Sequence, residues 1–395
     1  MMFSEYLRMF MDVCVMAKMT CAACDGELGD NPIQVKICGK TVEVCCEDCA
    51  TKLKEADGFA DPGLRIARRN FVLGAGTAVA AGLAPTAPAT GRDDISQQDN
   101  AARKASVKTA SGAIAYAEQG KGPSALFVHG VLLNGHLWRH QLAALSDIRR
   151  CIAPDLLAHG DTEIAAEQDV SVTANARMLR EFLDALHIEQ VDLVGNDSGG
   201  GIAQIFAAHN PQRVRSLALT NCDAHDNWPP KAFKPFLEMA AAGGLPGTLS
   251  AMVGDKNIYR SRQALGPAYE HPERVTDETI DIYLKPHLRT AQRTRDLERF
   301  LAAFDPSHTV AIEAQLRKLQ APTLIAWGTD DIYFDVKWAD WLAAAIPGTR
   351  RNVRFEGARI FFPEERWQEF NRELRDHWSA AQAAKAETFR SRHGR

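Results

Sequence analysis

Along the chain, short apolar runs of strand length alternate with stretches of helical periodicity from about residue 106 onward. Strands are predicted at Gly112–Glu118, Ala125–Val128, Arg150–Ala153, Val191–Val194, Val214–Leu219, Thr323–Trp327 and Arg351–Phe355. Helices fill most gaps, including Val172–Leu186 and Ile202–Ala208. This alternation predicts a mostly parallel sheet flanked by helices. Between Ala224 and about Gln320 the rhythm breaks into helical segments with Pro and Gly boundaries. An insertion at that point predicts a helical cap over the carboxyl edge of the sheet, where open α/β sheets bind ligands.

The run Val191-Asp-Leu-Val-Gly195-Asn-Asp197-Ser-Gly199-Gly-Gly201-Ile is an apolar strand passing through a glycine-bracketed turn directly into a helix. Gly195, Asp197 and Gly199 have the G-x-nucleophile-x-G spacing of a nucleophile elbow, with a carboxylate at its tip. A glycine-rich turn with Asp197 as a mere helix cap is the simpler alternative.

With 395 residues the chain exceeds one ordinary core and suits one large domain plus a smaller module. A net charge of −4 gives no reason to expect nucleic acid as a partner. Seven of the nine cysteines lie in the first fifty residues, a distribution that points to a local metal site over a disulfide framework. Three segments result: a Cys-rich module over 1–60, a linking segment over 61–105, and a catalytic-type α/β domain over 106–395 with its cap at about 224–320.

In the first segment, Cys21-Ala-Ala-Cys24 and Cys46-Glu-Asp-Cys49 flank a predicted hairpin, and two C-x-x-C pairs can close a tetrahedral thiolate site. Cys24, Cys45 and Cys49 also fit the pattern of small TRASH and YHS-type heavy-metal-binding domains, which this zinc-finger-like module resembles. Cys21, Cys24, Cys46 and Cys49 are the preferred ligands for zinc or another thiophilic ion, with Cys45 an alternative. In the second segment, Arg68-Arg69 precede a Gly/Ala-rich apolar stretch and Ala87-Pro-Ala89. This resembles a twin-arginine export signal and implies the twin-arginine translocon as a partner and a periplasmic location, although such signals stand at an N-terminus. A plain interdomain linker in a cytoplasmic protein is the alternative.

Over Ser106–His377 the sequence resembles the α/β-hydrolase fold. The matching pieces are His129-Gly130, Pro154-Asp155-Leu-Leu-Ala-His159-Gly160, the elbow, Trp327-Gly328-Thr-Asp330-Asp331, and Gly357-Ala358-Arg359-Ile360. The resemblance makes Asp197 the nucleophile, as in epoxide hydrolases and haloalkane dehalogenases, and assigns the oxyanion hole to the backbone N–H groups of Val131 and Ser198. It makes Asp331 the relay acid, with Asp330 beside it and Asp223 at a second location for that role. The histidine such a triad requires would stand at Ile360, and no histidine lies between Gly348 and Asp376. His225 and His308 are therefore candidate replacement bases, while His129 and His159 belong to turns. Tyr259, Tyr269 and Tyr283 are candidate acids of the kind epoxide hydrolases carry in the cap. The expectation is a hydrolase of a small, largely apolar substrate with an incomplete or rearranged triad and no cofactor in this domain. The alternatives are a ligand-binding pseudoenzyme, or a metal-handling protein with an appended hydrolase domain.

Overall fold

The computed structural model describes residues 104–393 and, nearer the N-terminus, residues 32–37, 40–44, 46, 47 and 49–51. The chain divides into two compact units, Met1–Thr90 and Gly91–Arg395, each taken by itself. In the first, strands β1 (Ile33–Ile37) and β2 (Lys40–Val44) form an antiparallel hairpin. A helical turn follows in which the N–H of Ala50 donates to the carbonyl of Cys46. Cys21, Cys24, Cys45 and the Arg68-Arg69 segment lie outside the described residues.

The second unit is built on eight strands: β3 (Lys104–Thr109), β4 (Gly112–Gln119), β5 (Ser124–Val128), β6 (Arg150–Pro154), β7 (Val191–Asp197), β8 (Val214–Cys222), β9 (Thr323–Gly328) and β10 (Thr349–Phe355). Their spatial order is β10-β9-β8-β7-β5-β6-β4-β3, antiparallel where β4 meets β3 and β6, and parallel elsewhere. β5 and β7 are neighbours although β6 lies between them in sequence, so the chain direction reverses there and opens a crevice at their carboxyl ends. Every residue of β7 is buried, as expected of a central strand covered on both faces. Its entering end is anchored by Asp192, buried and accepting from Arg149 Nε at 2.8 Å, Arg215 Nη1 at 2.9 Å and Ser216 Oγ at 2.8 Å. An unpaired carboxylate there would be costly, whereas three donors satisfy it.

The insertion between β8 and β9 is helical. Two of its helices, Asp277–Leu288 and Ala291–Ala302, start where Thr276 and Thr290 cap the N–H groups of Thr279 and Arg293. This cap is tied to the loop after β5 by Asn134, whose Nδ2 donates to the Ile282 carbonyl at 2.8 Å.

Candidate active site

β7 runs three residues beyond its apolar core and stops at Asp197, which has φ 56° and ψ −138°. A non-glycine residue at positive φ stores about 1–3 kcal/mol of strain, kept only where the surroundings impose it. They do so through close approach: a Cβ on Gly195 would meet Gly200 Cα at 2.7 Å, and one on Gly199 would meet the His129 carbonyl at 2.2 Å. The elbow thus lifts the Asp197 carboxyl out of the sheet edge at the head of helix Ser198–His209.

The carboxyl has a prepared seat. The N–H of Val131 donates to Asp197 Oδ2 at 2.9 Å, and the Ser198 N–H adds a second backbone hydrogen bond. Gly130 leaves the room, because a Cβ there would lie 2.0 Å from that same oxygen. His129 fixes the loop: its Nδ1–H donates to the Gly130 carbonyl at 2.8 Å and its Nε2 accepts from the Leu156 N–H at 3.0 Å. With both nitrogens engaged and burial pushing its pKa down to about 3, His129 is a neutral brace. His159 is equally buried, its Nδ1–H donating to the Leu157 carbonyl.

Asp331 is held just past β9. Its Oδ2 accepts from Asn221 Nδ2 at 2.7 Å and its Oδ1 from the Tyr333 N–H at 2.8 Å. Asn221 also exchanges two hydrogen bonds with the backbone of Gly328, so the end of β8 positions the acid that follows β9. Burial raises both Asp197 and Asp331 to about 7; for Asp197 the two backbone donors oppose the rise and the Asp331 charge adds to it. Asp223 is raised well above the carboxylate range, first by burial and then by the Asp197 charge. Asp330 is exposed on the turn.

Asp197 and Asp223 open onto one apolar pocket whose walls include Phe233, Phe304, Phe334, Ile360 and Phe361. The pocket is narrow, a cavity of about 30 Å³. Ile360 is buried where the resemblance places a histidine, and its carbonyl accepts from Asn196 Nδ2 at 2.8 Å.

The two candidate replacement bases are not among the pocket's walls. His225 has φ 47°, which turns its ring against Trp341 and places Nε2 3.1 Å from Glu313 Oε2. His308 Nε2 donates to the Ala303 carbonyl at 3.1 Å. Tyr259 and Tyr269 are buried and share a hydrogen bond of 3.0 Å between their hydroxyls, and Tyr283 is buried beside His136. The tyrosine among the pocket's walls is instead Tyr333, which sequence reasoning missed; its place two residues beyond Asp331 was the available signal. Arranged this way, the site offers a buried carboxylate on two oxyanion donors, two further carboxyl groups, and no imidazole among its walls.

A cap over the reversal point of a mostly parallel sheet, with a strained elbow beneath it, defines an α/β-hydrolase-type architecture. The chain belongs to that family: residues 123–366 match the family described as alpha/beta hydrolase fold. A Mycobacterium tuberculosis protein of unassigned function is 30% identical over 264 residues, covering 61% of this chain and 71% of the relative. A haloalkane dehalogenase of Mesorhizobium japonicum is 30% identical over 189 residues, covering 47% of this chain and 60% of the relative. Among solved structures, an epoxide hydrolase superposes with a TM-score of 0.59 at 20% identity, covering 70% of this chain and 98% of that one. At that identity the likeness is one of fold. The relatives include haloalkane dehalogenases and a monoacylglycerol lipase, and the protein is a hydrolase by family.

Proposed function

We propose that this protein hydrolyses a small, largely apolar substrate through an ester formed on Asp197. The observation that carries this reading is the seating of the carboxylate: at the tip of the elbow, Asp197 Oδ2 already lies 2.9 Å from the Val131 N–H. With one oxygen held there, the other is left to attack a saturated carbon. The same donors then stabilise the oxyanion when water attacks the resulting ester carbonyl. The apolar walls suit a substrate without charge, and haloalkane dehalogenases are among the relatives.

The test is intact and peptide mass spectrometry after incubation with small alkyl halides. One equivalent of alkyl group is expected, on the peptide that carries Asp197. An unmodified protein that still binds these compounds, equally well as Asp197→Asn, would mark a pseudoenzyme, the reading favoured by Ile360 alone.

For the N-terminal unit we infer a thiolate site for zinc or a similar ion. Cys46 and Cys49 fall three residues apart on one helical turn beyond the β1–β2 hairpin, a spacing that puts both on one side of the turn. Cys21 and Cys24 would complete the set of four. Metal analysis of the full chain under reducing conditions is expected to give about one equivalent of metal, lost in Cys46→Ser/Cys49→Ser. Unchanged metal content in that variant would remove the assignment.

A further inference from the structure

Asp223 is the group in the pocket that an esterase-type account leaves without work. It directly follows Cys222, the register partner of Asp197 across β7 and β8. Asp223 thus stands one residue past the end of β8, close enough to Asp197 for that charge to act on its carboxyl. Asp223 is 1% exposed and lines the same pocket. Its backbone carbonyl is taken by Gln204 Nε2 at 2.7 Å, but its side-chain Oδ1 has no hydrogen-bond partner among the described residues. Phe233, Phe304 and Ile360, which share the pocket walls with it, supply no donor. A buried carboxylate in that position would be costly, whereas a protonated one is a ready O–H donor awaiting an acceptor oxygen.

Resting on the Asp197 reading, we propose that Asp223 is the acid and then the base of this site, and that the substrate is a small epoxide. The titratable groups around Asp223 are Asp197 on the adjoining strand, Cys222 beside it, and Asp331 and Tyr333 beyond. Burial holds Cys222 and Tyr333 neutral. Asp197 accepts two backbone N–H hydrogen bonds that favour its charged form, whereas Asp223 Oδ1 accepts none, so of the two Asp223 is the one that keeps its proton. Near neutral pH the pair therefore holds one carboxylate and one carboxylic acid, two carboxyls with divided roles.

The chemistry balances with these two groups. The Asp197 carboxylate attacks an epoxide carbon, the ring C–O bond breaks, and the Asp223 proton passes to the departing oxygen. That leaves a hydroxyalkyl ester on Asp197 and a carboxylate at Asp223. Asp223 then takes a proton from water as the water oxygen adds to the ester carbonyl, with the oxyanion held by the Val131 and Ser198 N–H groups. Collapse expels the diol alkoxide, which is protonated by the newly formed Asp197 carboxylic acid. Asp197 is again a carboxylate and Asp223 again an acid, and the net change is epoxide plus water to diol. An alkyl halide follows another course, since halide leaves without a proton and Asp223 keeps its own. Nothing then takes a proton from water, and the alkyl ester persists.

The experiment compares 1,2-epoxybutane and 1-bromobutane on the wild-type protein, Asp223→Asn and Tyr333→Phe, following diol formation and covalent mass. Expected for wild type are diol turnover with the epoxide and a lasting butyl adduct with the bromide. In Asp223→Asn, diol formation should fall by about 10²-fold or more, while the butyl adduct still forms to one equivalent, which also reports an intact fold. Diol formation within about threefold of wild type in Asp223→Asn overturns the proposal. So does an epoxide-derived adduct that accumulates on wild type, or a loss of diol formation seen only in Tyr333→Phe. Should Asp223→Asn not fold, the wild-type pH profiles decide. Alkylation by the bromide should rise through about pH 7 to a plateau, whereas diol formation should rise and then fall as Asp223 loses its proton. Profiles of the same shape refute the assignment. Absence of any adduct on wild type with the bromide is a distinct outcome, since it removes the Asp197 reading itself.

Discussion

Asp197→Asn is expected to lower turnover by on the order of 10⁴-fold or more, the scale of losing a nucleophile, and to abolish the alkyl adduct. The same substitution is expected to make the protein more stable at pH 8. The sign follows from the pKa: burial raises Asp197 to about 7 in the folded state, above its ordinary value of 3.8. Between those values the folded protein binds more protons than the unfolded chain, so this group lowers stability as pH rises through the window. At pH 8 the cost amounts to as much as about 4 kcal/mol, and a neutral amide that can still accept from the Val131 N–H removes much of it. Thermal melts at pH 5 and pH 8 check this, with a gain for Asp197→Asn expected to be clearly larger at pH 8 than at pH 5. A variant less stable at both would indicate a structural carboxylate. In the wild-type protein, alkylation should slow as pH falls below about 7, because only the carboxylate is nucleophilic.

Ile360→His should turn a stalled alkyl ester into a hydrolysable one. Ile360 is buried against the pocket, and its backbone is already held by Asn196. An imidazole of similar volume at that position would approach Asp331, whose carboxyl is fixed by Asn221 and the Tyr333 N–H and can orient it. Such a base activates water at the Asp197 ester, a contribution of about 10²–10⁴-fold. Steady release of bromide and 1-butanol from 1-bromobutane should replace the single-equivalent reaction. A butyl adduct with an unchanged lifetime in Ile360→His would mean that Asp331 cannot direct a base to this ester.

The elbow was legible in sequence because its glycines answer to hard contacts: at 195 and 199, a side chain would collide with backbone. The apolar cores of β5, β7 and β9 were legible for a related reason, since strands covered on both faces admit little else. Polar extensions of the sheet were not. Asn221 and Cys222 fall beyond the predicted strand Val214–Leu219, yet they lie within β8, where Asn221 braces Asp331 and Cys222 pairs with Asp197. β3, with Lys104, Ser106 and Lys108 in an edge strand, carries too little hydrophobic signal to announce itself. His225 illustrates the limit for side chains. Position at a strand end made it a candidate, but a positive φ, invisible in the residue type, turns it toward Glu313. Likewise, spacing could place Asp223 after β8 but not show that it shares a pocket with Asp197.

The narrowness of that pocket has a kinetic consequence. In a cavity of about 30 Å³, a four-carbon ligand fits only if wall side chains such as Phe233 and Phe304 turn aside. Where that turned arrangement is a minor one, the observed affinity is reduced by the fraction of molecules that hold it. Selectivity then has two layers: how readily these rings yield to a guest of given girth, and the chemistry proposed for the two aspartates.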